Sequence, residues 1–214
     1  MAGRISYYGG IVKDGLVLDL DAAKRESYLG TGTRWSDISG NGYFGTLVNG
    51  VGYSSLNGGS LSFDGTDDIV NLSNVVTTNR FTLNMWIYPI PSSDNYGTLF
   101  AQASSAGIFY LGSSKKITYY TTPTDRVTTA ALIENRWNNV VVINNGGNIS
   151  FYINSVLDAS TFSSVNGFTA AMIGNDNISE NFKGNISIIN LYNRVLSASE
   201  VLQNYNATKG RFGL

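Results

Sequence analysis

The stretch FKGNISIINLYNRVLSASEVLQNYNA, from Phe182 to Ala207, decides the fold. Its first half predicts a β-strand that is apolar on both faces. One face carries Ile186, Ile188 and Asn190, and the other carries Ser187, Ile189 and Leu191. A strand with two apolar faces is covered on both sides, so we expect it near the centre of a sheet.

The second half of the stretch predicts a short helix that closes the domain. Ser197 and Glu200 have the S-x-x-E spacing of a capping box. Leu196 and Val201 stand where a hydrophobic staple places two apolar residues. Gly210 is expected to end the helix, because glycine readily adopts the left-handed backbone found at helix C-termini.

The rest of the chain consists of short apolar runs separated by turn signals. Leu16, Leu18 and Leu20 share one strand face, and Asp19 and Asp21 lie on the other. The same alternation recurs along the chain. About a dozen such strands, with no helix between them, predict an all-β domain built as a two-sheet antiparallel sandwich rather than a parallel α/β sheet.

The charge content argues against two classes of partner. Charged residues make up 14% of the 214 residues, and the formal net charge is -1. The chain has no basic stripe that could neutralise phosphates, so neither nucleic acid nor an anionic membrane is expected as a partner.

Cysteine and histidine are both missing from the sequence. Disulfides, zinc sites and histidine-activated nucleophiles are therefore excluded. The N-terminal segment is interrupted by Gly9, Gly10 and Lys13, so it does not resemble a signal peptide. We expect synthesis in a reducing cytoplasm.

Four blocks of the sequence resemble a known family. They are SLSFDGTDDIVNL, FTLNMWIYP, RWNNVVVINNGGNISFYINSVLDAS and MIGNDNISENFKGNISIINLYNRVLSASEVLQNY. Their order and spacing resemble the concanavalin A-like, laminin-G-like jelly rolls. The resemblance implies a jelly-roll domain over residues 16–207, an N-terminal arm over 1–15 and a C-terminal tail over 208–214. The sequence departs from the family at Ser155, where glycine is usual in the hairpin turn.

The two ends of the chain carry a narrower resemblance. SYYGGIVKDGLVLDLDAA and QNYNATKGRFGL are similar to the ends of single-domain structural proteins of tailed, often marine, phages. This implies a virion protein that either decorates or cements the capsid or belongs to an appendage. It would act by docking on other virion proteins, with a homo-oligomer as an alternative. The docking residues would be Tyr7, Tyr8, Ile11, Val12, Arg211, Phe212 and Leu214.

Catalysis is not expected from the carboxylates. Some concanavalin A-like relatives are glucanases with a Glu-x-Asp-x-Glu type cluster on one strand, and glycoside hydrolysis needs two carboxylates across the scissile bond. None of the four glutamates here has a carboxylate within the next four positions. The one pair on a shared strand face, Asp19 and Asp21, is typical of a solvated strand surface.

A calcium site is a further hypothesis. Asp64, Asp67 and Asp68 offer three carboxylates within five residues, and calcium prefers oxygen ligands. Laminin-G and pentraxin relatives often hold calcium at a sheet rim. The alternative is turn structure, since aspartates bond their own backbone at turns. Asp176 and Glu180 form a second, weaker candidate.

Glycan binding is the alternative function, as an adhesin with a lectin-like site. Sugar sites pair an aromatic face with a few polar groups. The candidate aromatic residues in loops are Trp35, Tyr43, Tyr96 and Tyr120. The competing interpretation places the three tryptophans, Trp35, Trp86 and Trp137, in the core of the sandwich.

Overall fold

The computed structural model describes residues 10–92, 95–102, 105–163, 166–176 and 180–214. In these residues, seventeen strands precede one α-helix. The strands are β1 (Leu16–Asp21), β2 (Arg34–Ser36), β3 (Phe44–Val48), β4 (Gly52–Ser54), β5 (Ser60–Asp64), β6 (Ile69–Val76), β7 (Arg80–Pro89), β8 (Tyr96–Gln102), β9 (Ala106–Leu111), β10 (Lys116–Thr121), β11 (Thr124–Val127), β12 (Asn138–Asn145), β13 (Asn148–Ile153), β14 (Val156–Leu157), β15 (Phe162–Ser163), β16 (Thr169–Ile173) and β17 (Lys183–Tyr192). The helix α1 (Ala198–Thr208) continues into a 3-10 turn over Lys209–Phe212.

The strands form two antiparallel sheets, as predicted. The nine-stranded sheet has the order β14-β13-β12-β7-β17-β5-β4, with β1 also paired to β17 and β15 to β13. The eight-stranded sheet has the order β11-β10-β9-β8-β16-β6-β3-β2. This arrangement, with one short C-terminal helix, is that of a jelly-roll sandwich.

Strand β17 is central, in agreement with the apolar residues on both of its faces. It pairs with β7, β5 and β1. The predicted assignment of its side chains to the two faces needs one correction. The register shifts between Ile186 and Ile188, so Ile186 lies in the inter-sheet core together with Ile189 and Leu191, while Ile188 lies on the opposite face. Such a shift is a β-bulge, which changes the face of every residue beyond it.

The main core lies between the sheets, and a second layer covers the outer face of the nine-stranded sheet. Alternate residues of β12 show both: Val140 and Val142 belong to the inter-sheet core, whereas Val141 and Ile143 pack with Leu196 and neighbouring residues outside it. The helix, the 3-10 turn and residues 10–13 supply this outer cover.

The helix begins as the sequence predicts, and a 3-10 turn extends the helical segment past the predicted end at Gly210. Ser197 accepts from the backbone N–H of Glu200, and Glu200 accepts from that of Ser197, which completes the capping box. The chain does not stop at Gly210 but continues in the 3-10 turn to Phe212, and Gly213 follows with a φ of 74°. Only the left-handed backbone at this glycine ends the helical segment.

Among the described residues, no helix combines the length and the apolar character needed to cross a membrane.

Candidate functional site

A row of five aromatic rings runs along the outer face of the nine-stranded sheet. Centroids lie 5.7 Å apart for Tyr205 and Trp86, and 4.1 Å apart for Trp86 and Phe212. They lie 4.7 Å apart for Phe212 and Trp137, and 5.6 Å apart for Trp137 and Tyr88. Trp86 and Phe212 are buried, while Trp137 and Tyr88 at the end of the row are half-buried. The row therefore ends in two rings that reach solvent.

Strand register places the exposed end of this row. Asn138 pairs with Ile87, which brings Trp137, one residue earlier, beside Tyr88. Tyr88 in turn pairs with Asn185 on the central strand. An indole, a phenol and an amide therefore stand side by side across three neighbouring strands.

These residues line a cavity of about 240 Å³, which we call the aromatic pocket. Its lining consists of Ser54, Leu56, Asn57, Ser60, Tyr88, Trp137 and Asn185. None of these seven side chains carries a charge. The pocket combines aromatic rings with amides and hydroxyls, the composition that suits a ligand with apolar faces and hydroxyl groups.

Hydrogen bonds hold the aromatic pocket in shape. The Trp137 indole N–H donates to Asn57 Oδ1 at 3.1 Å, and Asn57 Nδ2 donates to the carbonyl of Arg211 at 3.1 Å. On the other side, Asn185 Nδ2 donates to Ser60 Oγ at 3.2 Å. The C-terminal 3-10 turn thereby fixes the orientation of the exposed indole.

Two of the predicted glycan residues lie in or against the core. Trp35 is fully buried between the sheets, so it offers no ring face to a ligand, and this part of the glycan prediction is corrected. Tyr43 is half-buried and packs against the same core. Large aromatic side chains contribute much of the apolar area of a core, which explains the position of Trp35.

The structure brings the other two predicted residues together on the opposite sheet. The rings of Tyr96 and Tyr120 lie 6.4 Å apart, and both contact Phe109 edge-on. The Tyr96 hydroxyl donates to Asp125 Oδ2 at 2.6 Å, and this hydrogen bond, with burial, raises the pKa of Tyr96 to about 12. That hydroxyl is therefore already engaged within the protein.

A larger cavity of about 620 Å³ lies at one end of the sandwich. Its described lining is mainly amides and hydroxyls, with Asn79, Gln102 and Thr121 among them. The one aromatic residue in that described lining, Phe168, is buried. This cavity has no exposed ring in its described lining and so lacks the stacking surface that the aromatic pocket has.

The three aspartates of the predicted calcium site are close together at the turn between β5 and β6. Carboxylate oxygens of Asp64, Asp67 and Asp68 lie within 4.8 Å of one another. Asp64 Oδ1 accepts from the N–H of Thr66 at 2.7 Å, and Asp68 Oδ2 accepts from the N–H of Asp64 at 2.9 Å. The remaining carboxylate oxygens suit a hard cation, which would need water to complete its six to eight ligands.

Two further carboxylate pairs, Asp19 with Asp21 and Asp176 with Glu180, are largely removed from solvent. Asp19 and Asp21 are buried, so the expectation of a solvated strand face is wrong. They are covered by the outer layer and paired with Lys24 and Arg211. In the second pair, burial and the nearby Asp176 carboxylate raise the pKa of Glu180 to about 7.

Most of the described docking residues contact their own chain. The N–H of Val12 donates to Asn204 Oδ1 at 2.8 Å, and Ile11 packs against the same outer layer. Phe212 is buried against Trp86, and Arg211 forms an ion pair with Asp21. These four residues therefore make contacts within the subunit, and their docking on a neighbour stays a prediction.

The other predicted docking residues are Leu214, Tyr7 and Tyr8. Leu214 is half exposed and stays available to a partner. Tyr7 and Tyr8 lie outside the described residues.

The sequence matches a known family model over residues 64–202. The model describes the concanavalin A-like lectin/glucanases superfamily, in its Laminin_G_3 form. The chain belongs to this superfamily. The match includes two of the four blocks that carry the resemblance in full, overlaps the first from Asp64 onward and overlaps the fourth up to Leu202. No curated protein sequence matches the chain.

Solved structures of the same fold include binding domains. Domain 4 of the arabinanase AbnA from Geobacillus stearothermophilus, in complex with arabinotriose, is 18% identical with a TM-score of 0.70, covering 90% of this chain and 98% of that one. The binding domain of Paraclostridial Mosquitocidal Protein 1 is 16% identical with a TM-score of 0.69, covering 91% and 52%. Trypanosoma rangeli sialidase with the inhibitor DANA is 16% identical with a TM-score of 0.66, covering 92% and 34%.

These likenesses concern the fold. The superfamily member described here spans about half of the mosquitocidal binding domain and about a third of the sialidase chain. Only for the arabinanase domain does it span almost the whole partner structure among these three.

The aromatic pocket was not among the predicted sites. Trp137 was named only in the competing interpretation that places the tryptophans in the core, and Tyr88 was not singled out. The available signal was the run Trp86-Ile87-Tyr88, in which two aromatic residues share the face opposite Ile87. Exposure of that face could not be read from the run, because the cover comes from the C-terminal turn.

Proposed function

We propose that this protein is a non-catalytic binding domain that holds a neutral glycan in the aromatic pocket. The observation that carries the proposal is the half-buried pair of Trp137 and Tyr88 beside the amide of Asn185. Sugar rings have C–H faces that pack on aromatic rings and hydroxyls that bond to amides.

The lining of the aromatic pocket supports an uncharged ligand. Its polar groups are the amides of Asn57 and Asn185 and the hydroxyls of serine and tyrosine residues. A charged sugar would lose hydration on entering and gain no opposite charge in return. The pocket is therefore better suited to neutral sugar residues than to acidic ones.

The size of the aromatic pocket favours contact with one sugar ring of a longer chain. Its volume of about 240 Å³ is smaller than the roughly 300–1,000 Å³ of sites that enclose drug-sized ligands. One ring of a chain would sit against Trp137 and its neighbours would extend into solvent. Such a site binds weakly and gains strength when several copies act together.

Two further observations support a binding role without catalysis. The described residues that line the aromatic pocket include no carboxylate, and glycoside hydrolysis requires two. A domain of the same fold, from the Geobacillus arabinanase, was solved with arabinotriose, so the fold accommodates a neutral oligosaccharide there.

A structural role on a virion is the second proposal, and an exposed sheet edge favours it. Val156 and Leu157 form the edge strand β14 and are 69% and 57% exposed. An exposed apolar edge strand is a template for pairing with another chain. A neighbouring virion protein would dock there, and the glycan site could still face outward. Copy numbers from mass spectrometry of purified particles test this role, since decoration requires stoichiometric amounts.

The glycan proposal is tested with a panel of immobilised neutral and acidic oligosaccharides, followed by calorimetry of any hit. We expect Trp137→Ala to abolish binding. Tyr120→Ala, on the other sheet, is the matched control and should bind as the parent does. Binding that survives Trp137→Ala but not Tyr120→Ala would move the site to the Tyr96 and Tyr120 surface. A blank panel would reject the proposal.

A further inference from the structure

A second cavity lies on the same outer face, on the far side of the C-terminal turn. Its volume is about 450 Å³, and we call it the charged pocket. Its floor is formed by Ile188 and Asn190 of β17. Around the floor stand Asp19 and Asp21 of β1, with Lys24, the segment Gly10–Lys13 and the end of the helical segment up to Arg211.

Asp19 presents a buried carboxylate oxygen that two lysines approach but that no described residue bonds within hydrogen-bond geometry. The residue is 1% exposed, and its Oδ1 accepts from Asn190 Nδ2 at 2.8 Å. Its Oδ2 has no hydrogen-bond partner among the described residues. The ammonium groups of Lys13 and Lys24 lie 3.5 and 3.8 Å away, near enough for charge attraction. This attraction offsets part of the cost of burying the oxygen, and a hydroxyl donor would add the hydrogen bond that it lacks.

A ladder of amides holds Asp19 in place. Asn139 Nδ2 donates to Asn84 Oδ1 at 2.9 Å, and Asn84 Nδ2 donates to Asn190 Oδ1 at 3.0 Å. The Asn190 amide then donates to Asp19, so four side chains on four strands form one chain of hydrogen bonds. Because this ladder fixes the carboxylate, little reorganisation would be needed when a ligand binds.

Arg211 adds a donor to the same pocket. Its Nη1 donates to both carboxylate oxygens of Asp21, at 2.9 and 3.1 Å, and its Nη2 donates to Ser187. Its Nε is a buried donor with no hydrogen-bond partner in the described chain. The charged pocket thus contains one unsatisfied acceptor and is lined by a residue with one unsatisfied donor.

The mixture of charges selects the kind of ligand. Two buried carboxylates oppose an anion, and Lys13, Lys24 and Arg211 oppose a cation. A neutral ligand whose hydroxyls both donate and accept meets neither obstacle. Ile11 and Ile188 provide apolar contacts for its carbon skeleton.

We propose that the charged pocket is a second binding site, distinct from the aromatic pocket, for one neutral polyhydroxylated ring such as a monosaccharide or a cyclic polyol. A hydroxyl of the ring donates to Asp19 Oδ2, and ring oxygens accept from the cationic side chains. The site is independent of the aromatic pocket, because the 3-10 turn separates the two. Arg211 lines the charged pocket, and Phe212 packs behind Trp137.

The test is amide NMR of the full chain with myo-inositol, arabinose and glucose up to about 50 mM, a range suited to weak sites. We expect saturable shifts of the Asn190 side-chain amide and of the backbone amides of Lys13 and Thr208. Asp19→Asn keeps the acceptor that the ladder needs and replaces the free oxygen with a donor. It should weaken binding about tenfold, the effect of losing one buried hydrogen bond.

Two controls separate this site from the aromatic pocket and from an anion site. Trp137→Ala should leave these shifts unchanged, even if it abolishes oligosaccharide binding. Inorganic phosphate in place of the sugar should leave these amides unshifted, because Asp19 and Asp21 oppose an anion. Unshifted wild-type amides at the highest sugar concentration overturn the proposal without recourse to any variant, as do saturable shifts with phosphate that Asp19→Asn leaves unchanged.

Discussion

The ring of Phe212 lies on the indole of Trp86, with 4.1 Å between centroids and 21° between the ring planes. The indole N–H of Trp86 donates to Thr208 Oγ1 at 2.9 Å, so the same tryptophan is held by the end of the helix. This contact makes the C-terminal turn part of the sandwich. It also places the turn between the two pockets, since Gly210 and Arg211 line the charged pocket and Phe212 packs behind Trp137 of the aromatic pocket.

Because of this contact, replacing Phe212 with alanine is expected to lower the stability of the protein strongly. Phe212→Ala removes a buried ring and leaves a cavity, so we expect the free energy of unfolding to fall by about 3 kcal/mol. Urea denaturation measures it. The half-exposed Leu214 is the control, and Leu214→Ala should change stability by less than about 0.5 kcal/mol. Equal stability of the two variants would contradict the packing role of the turn.

Removing the capping box is expected to lower stability less than Phe212→Ala does, through a local effect at the start of the helix. Ser197→Ala removes the acceptor for the N–H of Glu200 and should cost about 1 kcal/mol. Ser199→Ala, two residues later on the exposed surface, should cost clearly less. Thermal unfolding of both variants gives the comparison. If the two serines were equivalent, the cap would not stabilise the helix.

In the turn between β5 and β6, the neighbouring residues Asp67 and Asp68 are expected to contribute differently to stability. Asp68 is buried and accepts from the N–H of Asp64, whereas Asp67 is exposed. Asp68→Ala should cost about 0.5–1.5 kcal/mol, because the N–H of Asp64 loses its hydrogen-bond partner. Asp67→Ala should change stability by less than about 0.5 kcal/mol.

The same turn gives the test for calcium. We expect the melting temperature to be equal with calcium and with a chelator, since the turn is held by its own backbone contacts. A calcium-dependent rise that Asp67→Ala abolishes would instead establish the cation site predicted from the sequence.

The raised pKa of Glu180 is expected to make the stability of the protein depend on pH. Burial, together with the Asp176 carboxylate, raises the pKa of Glu180 from 4.5 to about 7. Between pH 4.5 and 7 the unfolded chain therefore releases this proton while the folded chain retains it. The free energy of unfolding falls as pH rises through that window.

Denaturation at several pH values measures the contribution of Glu180. Glu180→Gln should lose less stability between pH 4.5 and 7 than the parent does. Glu26→Gln, at an exposed carboxylate, should follow the parent. Parallel curves for all three proteins would show that Glu180 titrates normally.

The sequence was most informative where the structure depends on local pattern. The alternation in β17 and the S-x-x-E spacing after it predicted a central strand and a capped helix, because both depend on residues a few positions apart. The bulge at Ser187 was not predictable. It depends on the carbonyl of Gly59 and the N–H of Ala22, which meet Ser187 only in the fold.

Burial was the least predictable property. Asp19 was expected in solvent and lies under cover supplied from both ends of the chain, since the segment Gly10–Lys13 and the C-terminal turn reach the same face. The competing interpretation placed Trp137 in the core, but it reaches solvent, because Phe212 covers one side of its indole and leaves the other at the pocket. Neither outcome is encoded within a window of neighbouring residues.

The indole N–H signals of the three tryptophans test the account most directly. In an NMR titration with a neutral oligosaccharide selected from the panel, the Trp137 signal should move in a saturable way. The signals of the buried Trp35 and Trp86 should stay close to their starting positions. A Trp137 signal that does not move, while amides of the strands carrying Tyr96 and Tyr120 do, would contradict the assignment of glycan binding to the aromatic pocket.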